Sequence, residues 1–286
     1  MRRSTTLLVA LTACAVDPAH VELALASFAL RDGWRPSPAS TAPDATPAPP
    51  RSPCPPDMLR IGVACIDRYE AHLRQLDARG PGATHPYHQR PQEGRAYVAV
   101  SAPGVHPQAY VSREEAAAAC REAGKRLCSR SEWLLGCRGT PATPRPSDGA
   151  RACNHGKPHL LTRLFGYGFD YEAHFNSPEL SLTPGFLATT GAHEGCVSDL
   201  GAYDMVGNLH EWVSDTVTSS FLRALDAEGV HRQFQYVQVG NGVFMGGFYS
   251  TRGELGPGCS FTTVAHDAHY HDYSTGFRCC RDAEPQ

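Results

Sequence analysis

No stretch of this 286-residue chain approaches the run of about 20 apolar residues that a helix needs to cross a bilayer. A membrane-spanning helix is therefore not expected. The chain also lacks a Lys/Arg run long enough to form a basic patch. With 26 basic side chains against 29 acidic ones and a net charge of −3, nucleic acid is not expected as its main partner. Internal repeats are missing, which removes solenoids and propellers. Charged residues make up only 19%, yet 41% are hydrophobic, and there are 27 Gly and 23 Pro. This is the composition of a loop-rich globular protein, neither fibrous nor disordered. Cysteine, by contrast, is plentiful. Eleven of them point to an oxidising compartment.

Arg2 and Arg3 precede the apolar run Leu7-Leu8-Val9-Ala10-Leu11, and Leu11-Thr12-Ala13-Cys14 follows. This arrangement resembles a bacterial lipoprotein signal, with residues 1–13 removed and Cys14 lipidated. The expected location is the cell envelope, periplasmic or outer-surface, with the membrane as a partner through the lipid anchor. Setting Cys14 aside leaves ten cysteines, an even number that suits five disulfides. Val21, Leu23 and Leu25 alternate as in a strand, but the surrounding Ala and Leu suit a short helix equally well. From Arg35 to Pro56 there are nine prolines among Ala, Ser and Thr, a composition that favours an extended spacer over a core. Residues 14–53 therefore read as a linker, and residues 54–286 as the globular domain.

Two helix starts are marked in that domain. Ser112-x-x-Glu115 is a capping box opening an Ala-rich run that stops at Gly124, and Ser129-x-x-Glu132 opens a second helix carrying Trp133. Elsewhere short strands and long loops rich in Gly, Pro, Asn and aromatics are expected.

Four blocks recur in a recognisable order. The first runs from Val111-Ser112 and Glu115-Ala116 through Cys120-x-x-x-Gly124-Lys125-Arg126-Leu127 to Ser131-Glu132-Trp133 and Cys137-Arg138-Gly139. The second is Tyr203-Asp204-Met205-Val206-Gly207-Asn208-Leu209-His210-Glu211-Trp212, the third Gly246-Gly247, the fourth Gly276-Phe277-Arg278-Cys279. Over residues 54–283 the chain thus resembles the formylglycine-generating enzyme, or sulfatase-modifying factor, family. The resemblance implies an α+β, C-type-lectin-like fold with little regular secondary structure. It also implies disulfides Cys120–Cys279 and Cys137–Cys259. Cys54 with Cys65, and Cys153 with Cys196, are neighbours in sequence that could pair, while spacing leaves Cys128 and Cys280 open.

The family's oxidase chemistry rests on Cu(I) held by two thiolates, the soft donors such an ion requires. The resemblance places them between Gly247 and Cys259, where this chain has no cysteine. Counting forward from Gly247 puts Thr251 and Gly256 at the two positions; counting back from Cys259 puts Tyr249 and Glu254 there. Copper is therefore not expected in its usual place. A displaced site could draw on Cys128 and Cys280. Another could use His266, His269 and His271 for zinc or iron, since imidazoles beside a carboxylate suit either ion. The resemblance further implies structural Ca²⁺ on the Asp204 side chain, the Gly207 and Leu209 carbonyls and the Glu211 side chain, oxygen donors that suit a hard cation. Trp133 and Trp212 fit either core packing or the wall of a groove.

Two functions follow. One is a tethered binding or scaffold domain for a protein, peptide or small molecule, without the copper–thiolate chemistry. The other is an oxidase of the formylglycine-generating type working through a displaced Cys or His metal site.

Overall fold

A computed structural model describes residues 53–139, 152–230, 239–252 and 258–285. The signal-like segment, Cys14, Val21 to Leu25 and nearly all of the proline-rich linker lie outside them, as do Glu254 and Gly256.

Strands β1 (Met58–Ile61) and β2 (Ala64–Asp67) form a hairpin, followed by β3 (Ala71–Asp77), β4 (Gly80–Thr84) and β5 (Tyr97–Ser101). Next come helix α1 (Arg113–Glu122), β6 (Arg126–Leu127), α2 (Arg130–Arg138), α3 (Leu160–Phe165), a π-helical turn at Tyr171–Phe175, and α4 (Glu179–Leu182). The chain continues through β7 (His210–Thr216), α5 (Ser219–Ala227), β8 (Gly242–Met245), β9 (Thr262–Thr263), β10 (Thr275–Phe277) and β11 (Cys279–Asp282). The strands make three sheets, ordered β1-β2-β11-β6, β10-β7-β8-β9 and β4-β3-β5.

Both helix starts form as local chemistry dictates. Ser112 caps the Glu115 amide while the Glu115 carboxylate accepts the Ser112 N–H at 2.8 Å. Ser129 and Glu132 repeat the exchange, again at 2.8 Å. On α1 the small residues Ala116, Ala119 and Cys120, one helical turn apart, are buried and let the helix lie close to the sheet. On α2, Trp133 and Cys137 do the same.

Alternation along strands divides the interior. Successive side chains of a strand point to opposite faces, so Trp212 of β7 enters a core with Phe244 and Phe277, whereas Val213 enters another with Trp133 and Met245. Trp133 and Trp212 are both fully buried, so each is a core residue. A third, aromatic cluster gathers Tyr110, Phe186, Phe248, Tyr249 and Tyr273.

The last two strands tie sheets together. β10 pairs in parallel with β7, Gly276 opposite Glu211, and β11 pairs with β2 and β6 in the other sheet. Arg278 is the residue at which the chain changes sheet. Immediately after it, the adjacent Cys279 and Cys280 point into different cores. Cys279 bonds to Cys120 of α1 and Cys280 to Cys128. Cys137–Cys259, Cys54–Cys65 and Cys153–Cys196 are the remaining bridges.

Candidate functional site

The block from Tyr203 to Trp212 folds as a tight turn leading into β7. Asp204 and Asn208 hold positive φ (58° and 56°), and Gly207 (φ 82°) lies against the chain at Asn154, where a Cβ would stand 2.2 Å from the Asn154 carbonyl oxygen. Only glycine fits there. Of the four calcium ligands the resemblance implies, the two side chains are otherwise engaged. Glu211 accepts from Arg278 Nη2 and Nε, each at 2.6 Å, and from Trp133 Nε1 at 2.7 Å. Both of its oxygens are thus used. Asp204 accepts the Gly191 N–H at 2.6 Å. A calcium ion on Glu211 would have to share that carboxylate with a guanidinium that is itself fully buried and already neutralises it.

Arg278 does more than neutralise Glu211. Its remaining N–H groups donate to the carbonyls of Asp67 (3.1 Å) and Tyr203 (2.8 Å), joining three segments at one point. Beside it sits Glu70, which accepts from Asn208 Nδ2 (2.6 Å) and the Leu209 N–H (3.2 Å). Burial, and then the nearby Asp204 and Glu211, push the Glu70 carboxyl well above the usual range. Burial likewise pushes Asp204 up to about 6. Glu70 escapes a sequence reading because its partners lie almost 140 residues away.

The stretch after Gly247 turns back on itself. Thr251 Oγ1 accepts the Phe248 N–H at 2.9 Å, and the Thr251 carbonyl accepts the Gly156 N–H at 2.8 Å. Tyr249 is fully buried, its hydroxyl donating to the Leu180 carbonyl at 3.3 Å and its ring packed edge-on against Phe186 and Phe248. Tyr249 and Thr251, the two described residues among those that stand where thiolates are expected, are therefore spent on internal bonds. Cys128 and Cys280, which could have supplied a displaced thiolate pair, are bonded to each other. All ten cysteines from Cys54 to Cys280 are in disulfides. The donor set does not fit Cu(I).

The histidines at 266, 269 and 271 do not converge. His266 stacks on Tyr270, with ring centroids 3.8 Å apart, and lies 5.5 Å from the Phe244 ring. His269 is exposed. His271 shares a hydrogen bond with Asn176 Oδ1 at 2.8 Å. Among the described residues, no three His, Cys, Asp or Glu side chains come together to hold a metal ion.

A histidine without an assigned role proves more unusual. His210 sits among the rings of Phe244, Phe248 and Phe261, at 4.7, 5.0 and 5.3 Å. Its Nδ1 is buried without a hydrogen-bond partner. Burial, followed by the nearby His266 and His159, lowers its pKa to about 3. The fold holds this imidazole neutral, whereas the unfolded chain protonates it near 6.5. Stability should therefore fall as pH drops from 6.5 toward 3, by up to about 1.4 kcal/mol per pH unit from this one group. His210→Phe, which keeps a ring in an aromatic pocket, should lose that part of the slope. Urea unfolding at a series of pH values checks this; parallel curves for the two proteins would contradict it.

Comparison with known proteins completes the description of the site. The sequence profile of the sulfatase-modifying factor enzyme 1-like domain matches residues 62–283. The chain is similar to the formylglycine-generating enzyme of Bos taurus, 28% identical over 195 residues, covering 63% of this chain and 45% of that protein. It is also similar to the formylglycine-generating enzyme of Streptomyces coelicolor, 25% identical over 241 residues, covering 80% and 71%. The chain thus spans less than half the length of the bovine relative. Among solved structures, that of CarF is 16% identical over 77% of this chain and 87% of its own, with a TM-score of 0.43.

Proposed function

The chain belongs to the sulfatase-modifying factor family, with its α+β, C-type-lectin-like fold, and from that footing we propose that this member is a surface-tethered binding domain without copper–thiolate oxidase chemistry. One observation carries the reading. Every cysteine from Cys54 to Cys280 is in a disulfide, so no thiolate pair is left for Cu(I). The hydroxyls of Tyr249 and Thr251 are no substitute, being hard donors already bonded within the fold. The tether rests on the basic, then apolar start of the chain and on Cys14 at the end of Leu11-Thr12-Ala13-Cys14. A fold of this kind can keep its shape and change its work, because function lives in sites set on the fold.

The test is a thiol map of the full chain, purified from an oxidising compartment. The denatured, unreduced protein is labelled with a maleimide and its peptides are analysed by mass, so that Cys14 is scored apart from the domain. The expected result is no labelled cysteine from Cys54 onward, and no Cu(I) retained against a competing chelator. Two labelled cysteines with stoichiometric Cu(I) would overturn the reading in favour of an oxidase at a displaced site.

A further inference from the structure

The stretch Leu164-Phe165-Gly166-Tyr167-Gly168-Phe169, at the end of α3, carries no charge and brings apolar side chains to the surface. Among the described residues eight large hydrophobic side chains are exposed, and three of them fall within these six positions. Leu164 and Phe169 are each 39% exposed and Tyr167 is 91% exposed. None of the three belongs to a core cluster.

The tip is braced from behind. Gly166 closes α3 by donating its N–H to the Thr162 carbonyl at 3.0 Å, and Gly166 and Gly168 turn the chain at φ 74° and 94°. The Asp170 carboxylate accepts the Ala173 N–H at 2.7 Å, while the Asp170 N–H donates to His174 Nδ1 at 2.8 Å. The Phe165 ring lies against His174 and the Phe169 ring stands edge-on to Phe175, with centroids 4.8 and 6.0 Å apart. Tyr167 is thus presented to solvent on a fixed base.

Area and charge decide what covers such a tip. The exposed surface of the three side chains is on the order of 350 Å², under half of the roughly 800 Å² that each partner of a stable protein complex buries. A second copy of this chain gains too little from it. The exposed charges beside the tip, Arg163 before it and Asp170 and Glu172 after it, nearly cancel, so no strongly charged partner is favoured. A bilayer sets no minimum footprint and yields around a convex tip. It accepts tyrosine at its headgroup level, where the ring is buried and the hydroxyl stays wet. Only 39 positions separate Cys14 from Pro53, a length of chain that reaches at most about 130 Å. With Cys14 in a membrane, the domain is held at high local concentration over that same surface.

We propose that Tyr167 and Phe169 insert into the boundary between headgroups and acyl chains of the membrane that holds Cys14. The assignment rests on the surface-tethered reading above and gives the tether a second point of contact. Because the contact is apolar, salt does not weaken it.

The test places an indole at the tip. The full chain carrying Tyr167→Trp is mixed with phosphatidylcholine vesicles at millimolar lipid, with and without bromine on the acyl chains. Subtracting the wild-type spectrum leaves the emission of the added indole. Val63→Trp, at a position 87% exposed on the turn between β1 and β2, is the control. The tip indole is expected to shift to the blue and to be quenched by bromine, at low and high salt alike; the control indole should do neither. Adding Phe169→Ser should remove most of that quenching, since it takes away the second inserted ring. An unquenched tip indole overturns the proposal, and so does equal quenching of the control. A blue shift without quenching that grows with protein concentration also overturns it, assigning the tip to a second copy. The mass of the Cys14 peptide reads the tether separately. An acylated Cys14 with an unquenched indole removes the tip alone, whereas an unmodified Cys14 removes the tether whatever the indole shows.

Discussion

Replacing Arg278 with methionine should cost the domain about 3–5 kcal/mol, since it leaves Glu211 ionised and unpaired in a fully buried place. The loss extends beyond one ion pair. Arg278 also satisfies the carbonyls of Asp67 and Tyr203, so the change strips donors from three segments at once. Arg278→Lys should recover little of this. A lysine brings one compact charge on a flexible stem and cannot serve Glu211 bidentately while reaching both carbonyls. The double variant Arg278→Met with Glu211→Leu should lose less than the sum of the two single changes, because removing both charges together leaves neither stranded. Urea unfolding, run in a stabilising osmolyte where a variant is marginal, gives the four values. A loss below about 1 kcal/mol for Arg278→Met, the level of an exposed pair, would show that water reaches this site and that the pair is not what joins the sheets.

The second large effect concerns the disulfides, and its sign of interest is non-additivity. Taken alone, a bridge closing the 159 positions from Cys120 to Cys279 would contribute about 5 kcal/mol on the chain-entropy account. It is not alone. Cys128–Cys280 and Cys137–Cys259 fasten the same two stretches, 120–137 and 259–280. Cys120 and Cys128 are eight positions apart, and Cys279 and Cys280 are adjacent, so opening one rung frees only a short loop. Removing Cys120–Cys279 by paired alanines should therefore cost about 3 kcal/mol, the figure for a loop of some ten residues. Removing all three should cost on the order of 10 kcal/mol, comparable to the whole stability of a domain. The first variant is expected to unfold cooperatively at lower urea, the second not to fold. A single-bridge loss of the full 5 kcal/mol would mean that the rungs do not share their loops.

What the sequence discloses follows from how far apart the interacting residues lie. Ser112 with Glu115 and Ser129 with Glu132 are three apart, and each pair forms the cap its spacing announces. The four ordered blocks pointed to the family and its fold, and the profile match over residues 62–283 agrees. Long-range pairings were less legible. That Cys128 bonds to Cys280 depends on β11 lying between β2 and β6, where alternation sends neighbouring cysteines to opposite faces. Spacing carries no record of that. The surroundings of the expected calcium ligands were hidden for a similar reason. Asp204 and Glu211 have the residue types a hard cation wants, but the group that claims Glu211 is Arg278, 67 positions further on. His266, His269 and His271 look like a cluster in one dimension, but fold into three different environments. His210 had no sequence signal, since its strand reads His-Glu-Trp-Val-Ser-Asp-Thr and the phenylalanines around it come from 34 to 51 positions further on.

The placement of β10 and β11 after every other described element sets a timetable. A ribosome adds roughly 5–20 residues per second, so Cys120 and Cys128 emerge on the order of 8–30 s before Cys279 and Cys280 exist. Through that interval they are unpaired thiols beside Cys137, and the nearest available partners are the wrong ones. Only when Arg278 arrives to cap Glu211 can the two cores close and draw the late cysteines to their mates. In an oxidising compartment the expected consequence is that early oxidation favours wrong pairings, and that the yield of the folded domain rises when a catalyst of thiol–disulfide exchange is supplied.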